Sequence, residues 1–88
     1  MRLIFSDAAW EDYLHWHHTD PKLFQRINAL IKEARRSPFH GAGKPEPLRG
    51  DLSGWWSRRI TREHRMVYRV RGAGEDQSLE IAQLRYHY

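Results

Sequence analysis

Glu46 stands alone as a carboxylate between two prolines in the run GKPEPL, and the chain closes on RYHY, with His87 and Tyr88 last. Between these points lie the arginine-bearing runs WWSRRIT and EHRMVYRV. A carboxylate, forked cations, an imidazole and a phenol are the groups that cleavage of RNA without a metal ion requires. Glu46 can draw the proton from a ribose 2′-hydroxyl, and an acid such as His87 can protonate the departing 5′-oxygen. Arg59 and Arg65 carry guanidinium forks suited to phosphate oxygens. The imidazole is the side chain whose ordinary titration lies near neutrality, and Tyr88 adds a phenol and the terminal carboxylate. Each group also has a plain structural use. Glu46 could neutralise Lys44 or Arg49, the arginines could be solvated surface groups, and His87 and Tyr88 could be packing residues.

The elements that would position these groups can be read from the pattern. Ser6 is a suitable N-cap, with Asp7 in the first turn, and Trp10, Tyr13, Leu14 and His17 recur at helical spacing, so SDAAWEDYLHWHHT reads as one amphipathic helix. Asp20 and Pro21 start a second helix whose apolar stripe is Phe24, Ile27, Ile31 and Ala34; Ser37-Pro38 ends it. PFHGAGKPEPLRGDLSG then reads as a long, proline-stiffened loop. WWSRRIT, RMVYRV and LEIAQLRY carry strand signals, the last two separated by RGAGEDQ.

A turn at Arg62–His64 would pair Thr61 with Arg65, Ile60 with Met66 and Trp56 with Val70. One face then carries Trp56, Ile60, Met66, Tyr68 and Val70, and the other Ser57, Arg59, Arg65, Val67 and Arg69. Arg58 falls on the apolar face, expected near its rim. The predicted architecture is α+β, with a helical pair on one side of an antiparallel sheet and arginines on the other. Regular alternation to the end of the chain would point His87 and Tyr88 to opposite faces, so joint action on one phosphate needs the last strand to end or twist before them.

At 88 residues the chain is one domain, residues 1–88, without internal repeats. It has no cysteine, which removes disulfides and thiolate ligands and suits a reducing cytoplasm. No signal peptide or membrane-spanning run is legible. His15 and His18 share a helix face, but no obvious third ligand accompanies them, and no metal or cofactor is expected. Between Lys44 and Arg69 lie seven basic and three acidic residues, which account for the whole net charge of +4. An arginine-dominated cluster interleaved with Trp55, Trp56 and Tyr68 fits a polyanion such as RNA, or else a solvated basic face.

GKPEPL, LSGWWSRRIT, EHRMVYRV and the terminal RYHY, together with WEDYLHW and INALIKEARRSPF, resemble the YoeB (Txe) family of bacterial toxins within the RelE superfamily. The resemblance spans nearly the whole chain in order. It implies a fold like the microbial ribonucleases, with two helices against an antiparallel sheet. It further implies a ribosome-dependent endoribonuclease that cleaves mRNA in the A site of the 70S ribosome and is held inactive by a YefM-like antitoxin. The family's general base corresponds to Glu46, its phosphate-stabilising arginine to Arg65, a substrate-contacting arginine to Arg59, and its catalytic histidine and terminal tyrosine to His87 and Tyr88. Lys44 and Arg49 fall where basic residues hold RNA, Arg49 in place of a frequent lysine. Related toxins can form homodimers, and the sequence itself leaves the stoichiometry open. RGAGEDQ is longer than the corresponding turn in many members, which would alter dimer or ribosome contacts.

Overall fold

A computed structural model describes residues 1–88. Five strands form one sheet: β1 (Arg2–Phe5), β2 (Glu46–Pro47), β3 (Trp56–Arg59), β4 (Arg65–Arg71) and β5 (Ser78–Gln83), in the order β1-β5-β4-β3-β2. Helices α1 (Asp7–Thr19) and α2 (Pro21–Arg36) pack on one face. The sheet is mixed rather than wholly antiparallel: β1 runs parallel to β5, with Leu3 beside Leu79 and Phe5 beside Ile81. The other neighbours pair antiparallel.

Both helices begin at their predicted caps. The Ser6 hydroxyl accepts from Ala9 N–H at 3.0 Å and donates to Ala82 C=O at 2.9 Å, so one side chain caps α1 and ties it to β5. Asp20 caps α2 through Leu23 N–H at 3.1 Å, with Pro21 at the first helical position. The inner face of α2 is Ile27, Leu30, Ile31 and Ala34. For α1 the predicted stripe needs correction: Ala9 and Trp16 are buried, whereas Trp10 and Leu14 are 49% and 37% exposed. Polar groups do work on that inner side. The Trp16 indole N–H donates to Leu84 C=O at 2.9 Å, and the Asp12 carboxylate accepts from Leu84 N–H at 3.1 Å. The i, i+4 pair therefore grips the end of β5, and an apolar pattern could not reveal it.

The β3–β4 register is two residues from the predicted one. Trp56 faces Tyr68, Arg58 faces Met66, and Arg59 faces Arg65. The turn is longer because the Thr61 hydroxyl accepts from both Glu63 and His64 N–H at 3.2 Å, while Ile60 and Thr61 N–H both converge on His64 C=O. An even shift leaves each side chain on its predicted face. Met66, Tyr68 and Ile60 enter the core, and Ser57, Arg59, Arg65 and Val67 stay on the opposite side.

Arg58 corrects a second expectation: it lies at 0% exposure rather than at a rim. Its guanidinium donates to the carbonyls of Ala42 (2.9 Å), His40 (2.8 Å) and Ser37 and to the Tyr68 hydroxyl (3.0 Å), while that hydroxyl donates to Pro38 C=O. A buried cation is tolerable because its donors are met by carbonyl dipoles. Burial raises the Tyr68 pKa above its ordinary value, and the bond and charge of Arg58 pull it partly back. This clasp holds the stretch from Ser37 to Ala42 on the sheet, so the segment predicted as a long, proline-stiffened loop is anchored by side chains as well. It also contributes a strand, β2, which pairs with β3.

Candidate active site

Glu46 owes its position to β2, where it stands opposite Ser57. The chain reaches it through Gly43 and Lys44, both at positive φ (82° and 51°). Gly43 is required by space as well as by backbone angle. A Cβ there would stand 3.1 Å from Arg58 Cβ and 3.2 Å from Arg59 C=O, and Gly43 C=O itself accepts from Arg59 N–H at 2.7 Å. Glu46 is exposed and makes no ion pair, so it does not serve to neutralise Lys44 or Arg49.

Arg65 is tethered by one nitrogen. Its Nη1 donates to the carbonyls of Thr61 (2.6 Å), Arg62 (3.1 Å) and His64 (3.1 Å). Three carbonyls fix the guanidinium and leave its other nitrogens without protein partners. Arg59 stands across the ladder from it and is exposed. Two cations directly opposed on a sheet repel, an arrangement better suited to receiving an anion than to stability.

The tail resolves the geometric difficulty posed by alternation. A bulge in β5 falls between the Val67–Gln83 and Tyr68–Ile81 pairs, and the strand ends at Gln83. The backbone then bends at Tyr86, φ +65°. Gln83 Nε2 donates to Arg85 C=O at 2.9 Å, and Arg65 N–H donates to Tyr86 C=O at 3.0 Å. Beyond the bend the two last rings lie 4.9 Å apart, and the Tyr88 hydroxyl meets Ser57 Oγ at 3.2 Å. His87 and Tyr88 thus share one side of the sheet.

These pieces close around a cavity of about 150 Å³ lined by Gly43, Lys44, Glu46, Ser57, Arg59, Arg65, His87 and Tyr88. Six of the seven residues singled out from the sequence line it. Arg49 does not: it precedes a short 3-10 turn, Gly50–Leu52, and is exposed outside the cavity. Gly43 and Ser57 were not singled out. The signal for Ser57 was present, since it shares a face with Arg59 two residues on; Gly43 gave none beyond its place before Lys44. Three cations, one unpaired carboxylate, an imidazole and a phenol can bind a phosphodiester and move protons on both sides of it. No group of three or more His, Cys, Asp or Glu side chains is gathered as metal ligands. The His15 ring rests edge-on against Trp16 instead. No helix is long and apolar enough to cross a membrane.

Comparison with known proteins agrees over the whole chain. Residues 5–88 match the model of the YoeB-like toxin of bacterial type II toxin–antitoxin systems. Toxin YoeB of Escherichia coli strain K12 is 58% identical over 88 residues, covering all of both chains. A YoeB/ParE toxin from Agrobacterium tumefaciens superposes with a TM-score of 0.97 at 55% identity, again over all of both chains. YoeB from Staphylococcus aureus has been solved as a dimer and in a heterotetrameric YoeB–YefM toxin–antitoxin complex. Those chains superpose with TM-scores of 0.85 and 0.86 at 40% and 42% identity, and each match covers 100% of this chain and 98% of the other. With a match this complete, and an RelE-like arrangement of helices and sheet beneath it, the chain belongs to the YoeB-like toxins of bacterial type II toxin–antitoxin systems.

Proposed function

We propose that this toxin is an endoribonuclease that cleaves mRNA in the ribosomal A site, using its own side chains as acid, base and phosphate ligands. The observation that carries the reading is the meeting of Glu46, Arg59, Arg65, His87 and Tyr88 around one small cavity. Glu46 takes the proton of the ribose 2′-hydroxyl. The 2′-oxygen attacks phosphorus, and the bond to the 5′-oxygen breaks as His87 protonates that oxygen. Arg65, held by three carbonyls, turns its remaining donors to the non-bridging oxygens, where negative charge builds up. Preorganised donors of this kind cost little reorganisation during the reaction. Arg59 and Lys44 add charge at the phosphate, and Tyr88, braced on Ser57, positions the reacting group. Arg49, outside the cavity, holds the RNA further along its backbone. The products are a 2′,3′-cyclic phosphate, or the 3′-phosphate left after it takes up water, and a free 5′-hydroxyl.

The same face is where an antitoxin would act. The cationic cavity is open, and an acidic segment ordered over it would exclude RNA. The Staphylococcus aureus YoeB–YefM assembly supports a YefM-like antitoxin as that partner, and the dimer from the same organism supports self-association. Such a toxin acts in the cytoplasm, where ribosomes are.

The test is cleavage of mRNA on programmed 70S ribosomes, with naked mRNA in parallel, by the native protein and by folded Glu46→Ala and His87→Ala variants. Cleavage on ribosomes alone, lost in the variants and leaving cyclic or 3′-phosphate ends, is expected. A 3′-hydroxyl end would overturn the mechanism. Translation arrest with intact mRNA, unchanged in both variants, would mean that the protein acts by occupancy.

A further inference from the structure

The tail reaches the cavity through one bend, at Tyr86, whose φ of +65° lies in the left-handed region. A bulky residue persists there only where its surroundings hold it. Both polar groups of the Tyr86 backbone are held by consecutive residues, the last of the β3–β4 turn and the first of β4. Tyr86 N–H donates to His64 Nδ1 at 2.8 Å, and Tyr86 C=O accepts from Arg65 N–H at 3.0 Å. The imidazole is itself fixed. Its ring stands edge-on to Trp16 at 4.9 Å, and Trp16 in turn holds Leu84 C=O. The His64 carbonyl accepts from Ile60, Thr61 and Arg65 Nη1. The turn that anchors Arg65 thus also sets the course of the tail.

We propose that His64 is a positioning residue: through an unprotonated Nδ1 it fixes the left-handed bend at Tyr86 and so aims His87 and Tyr88 into the cavity. Its catalytic consequence rests on the ribonuclease reading; its structural consequence does not. A backbone N–H can only donate, so Nδ1 must accept, which assigns the neutral tautomer with its proton on Nε2. A second proton on the ring would set donor against donor and release the bend. The charged or titratable groups that surround it are Arg62 and Glu63 in its own turn, Arg65 at the start of β4, Arg26 of α2, which donates to Ile60 C=O at 2.6 Å, Asp12 and His15 beside Trp16 on α1, and Arg85 and the Tyr86 phenol on the tail.

Three variants separate the acceptor from mere bulk. In His64→Asn the amide oxygen stands where Nδ1 stood; in His64→Gln it stands farther out; His64→Ala has no acceptor. The readouts are the Tyr86 amide proton and the ring ¹⁵N signals by NMR, beside kcat and KM for ribosome-bound mRNA. In the native protein the Tyr86 amide should be protected and Nδ1 unprotonated. His64→Asn should keep amide protection and near-native kcat. His64→Gln and His64→Ala should lose protection, with kcat falling ~10²-fold and KM little changed, the scale expected for a misaimed catalytic group. As pH falls, the native amide should lose protection while that of His64→Asn, whose acceptor does not titrate, keeps it.

A folded His64→Asn as impaired as His64→Ala would overturn the proposal. So would a native Tyr86 amide that exchanges as freely as in His64→Ala. Should His64→Ala fail to fold, the Asn–Gln comparison decides the same point. Absence of cleavage by the native protein would end the ribonuclease reading, while the amide and ring signals would still decide whether His64 holds the bend.

Discussion

At the scale of single residues, Glu46 and Tyr88, the proposed base and the proposed positioning group, differ in how they are held. Glu46 is exposed, free of ion pairs and bound only through its backbone to β3. Its loss should therefore cost activity without costing the fold. Glu46→Gln is expected to keep RNA affinity and lower kcat ~10²–10⁴-fold, the range for removing a general base; single-turnover cleavage beside binding of an uncleavable RNA would measure both. Tyr88 is more entangled, since its hydroxyl meets a buried Ser57 Oγ. One neutral hydrogen bond contributes about 1 kcal/mol, and the residue is 46% exposed, so little else is lost. Deleting Tyr88 should lower the unfolding free energy by about that amount and reduce cleavage far more. Equal proportional losses in denaturant unfolding and in rate would mark Tyr88 as a packing residue.

At the scale of elements, the candidate site depends on a clasp whose side chains do not line the cavity. Arg58 and Tyr68 bind Ser37–Ala42, and the chain then turns through Gly43 into Lys44 and Glu46. Tyr68→Phe leaves Arg58 Nε and Pro38 C=O without their partner in the interior, which should cost about 1–3 kcal/mol. The pH dependence has a definite sign. Folding raises the phenol's pKa, so the folded state holds that proton more tightly than the unfolded chain, whose phenol titrates at about 10. Stability from this difference is complete below that pH and is lost as pH rises through the folded pKa. The stability gap between native and Tyr68→Phe proteins should therefore narrow above about pH 10, as followed by urea unfolding across the alkaline range. A gap that widens would contradict the desolvation account.

The same elements explain what was legible beforehand. Helix starts were legible because Ser6, Asp20 and Pro21 act locally, and the sheet faces because alternation survives an even register shift. The register itself was hidden in one hydroxyl, Thr61, which lengthened the turn. The buried arginine was hidden because charge reads as surface, and only tertiary carbonyls make its burial tolerable. The site residues came from type and resemblance; their meeting point came from a bulge and a bend after Ile81 that no periodicity announces.

At the scale of the whole molecule, the segment from Lys44 to Arg69 carries the excess positive charge, but not all of it faces an incoming polyanion. Arg58 is interior, and Arg69 is paired with Glu80 at 2.6 Å and lies over the Trp55 ring at 4.2 Å. The cations aimed at the cavity are Lys44, Arg59 and Arg65. RNA affinity should therefore respond to these three, and to Arg49 where the RNA runs past the cavity, in proportion to the phosphates they meet, not to net charge. For single strands each neutralised phosphate contributes about 0.7 to the slope of log K against log salt. Arg59→Ala should flatten that slope by about one such contact, measured with an oligoribonucleotide whose 2′-oxygen is methylated at the scissile position. Arg36→Ala in the last turn of α2, outside the cavity, where Arg36 pairs with Glu33 at 2.8 Å, removes the same charge and should leave the slope unchanged. Arg69→Ala should fall nearer to Arg36→Ala, because Glu80 already neutralises it. Equal flattening by all three would mean that the field of the whole molecule, rather than the cavity, sets affinity.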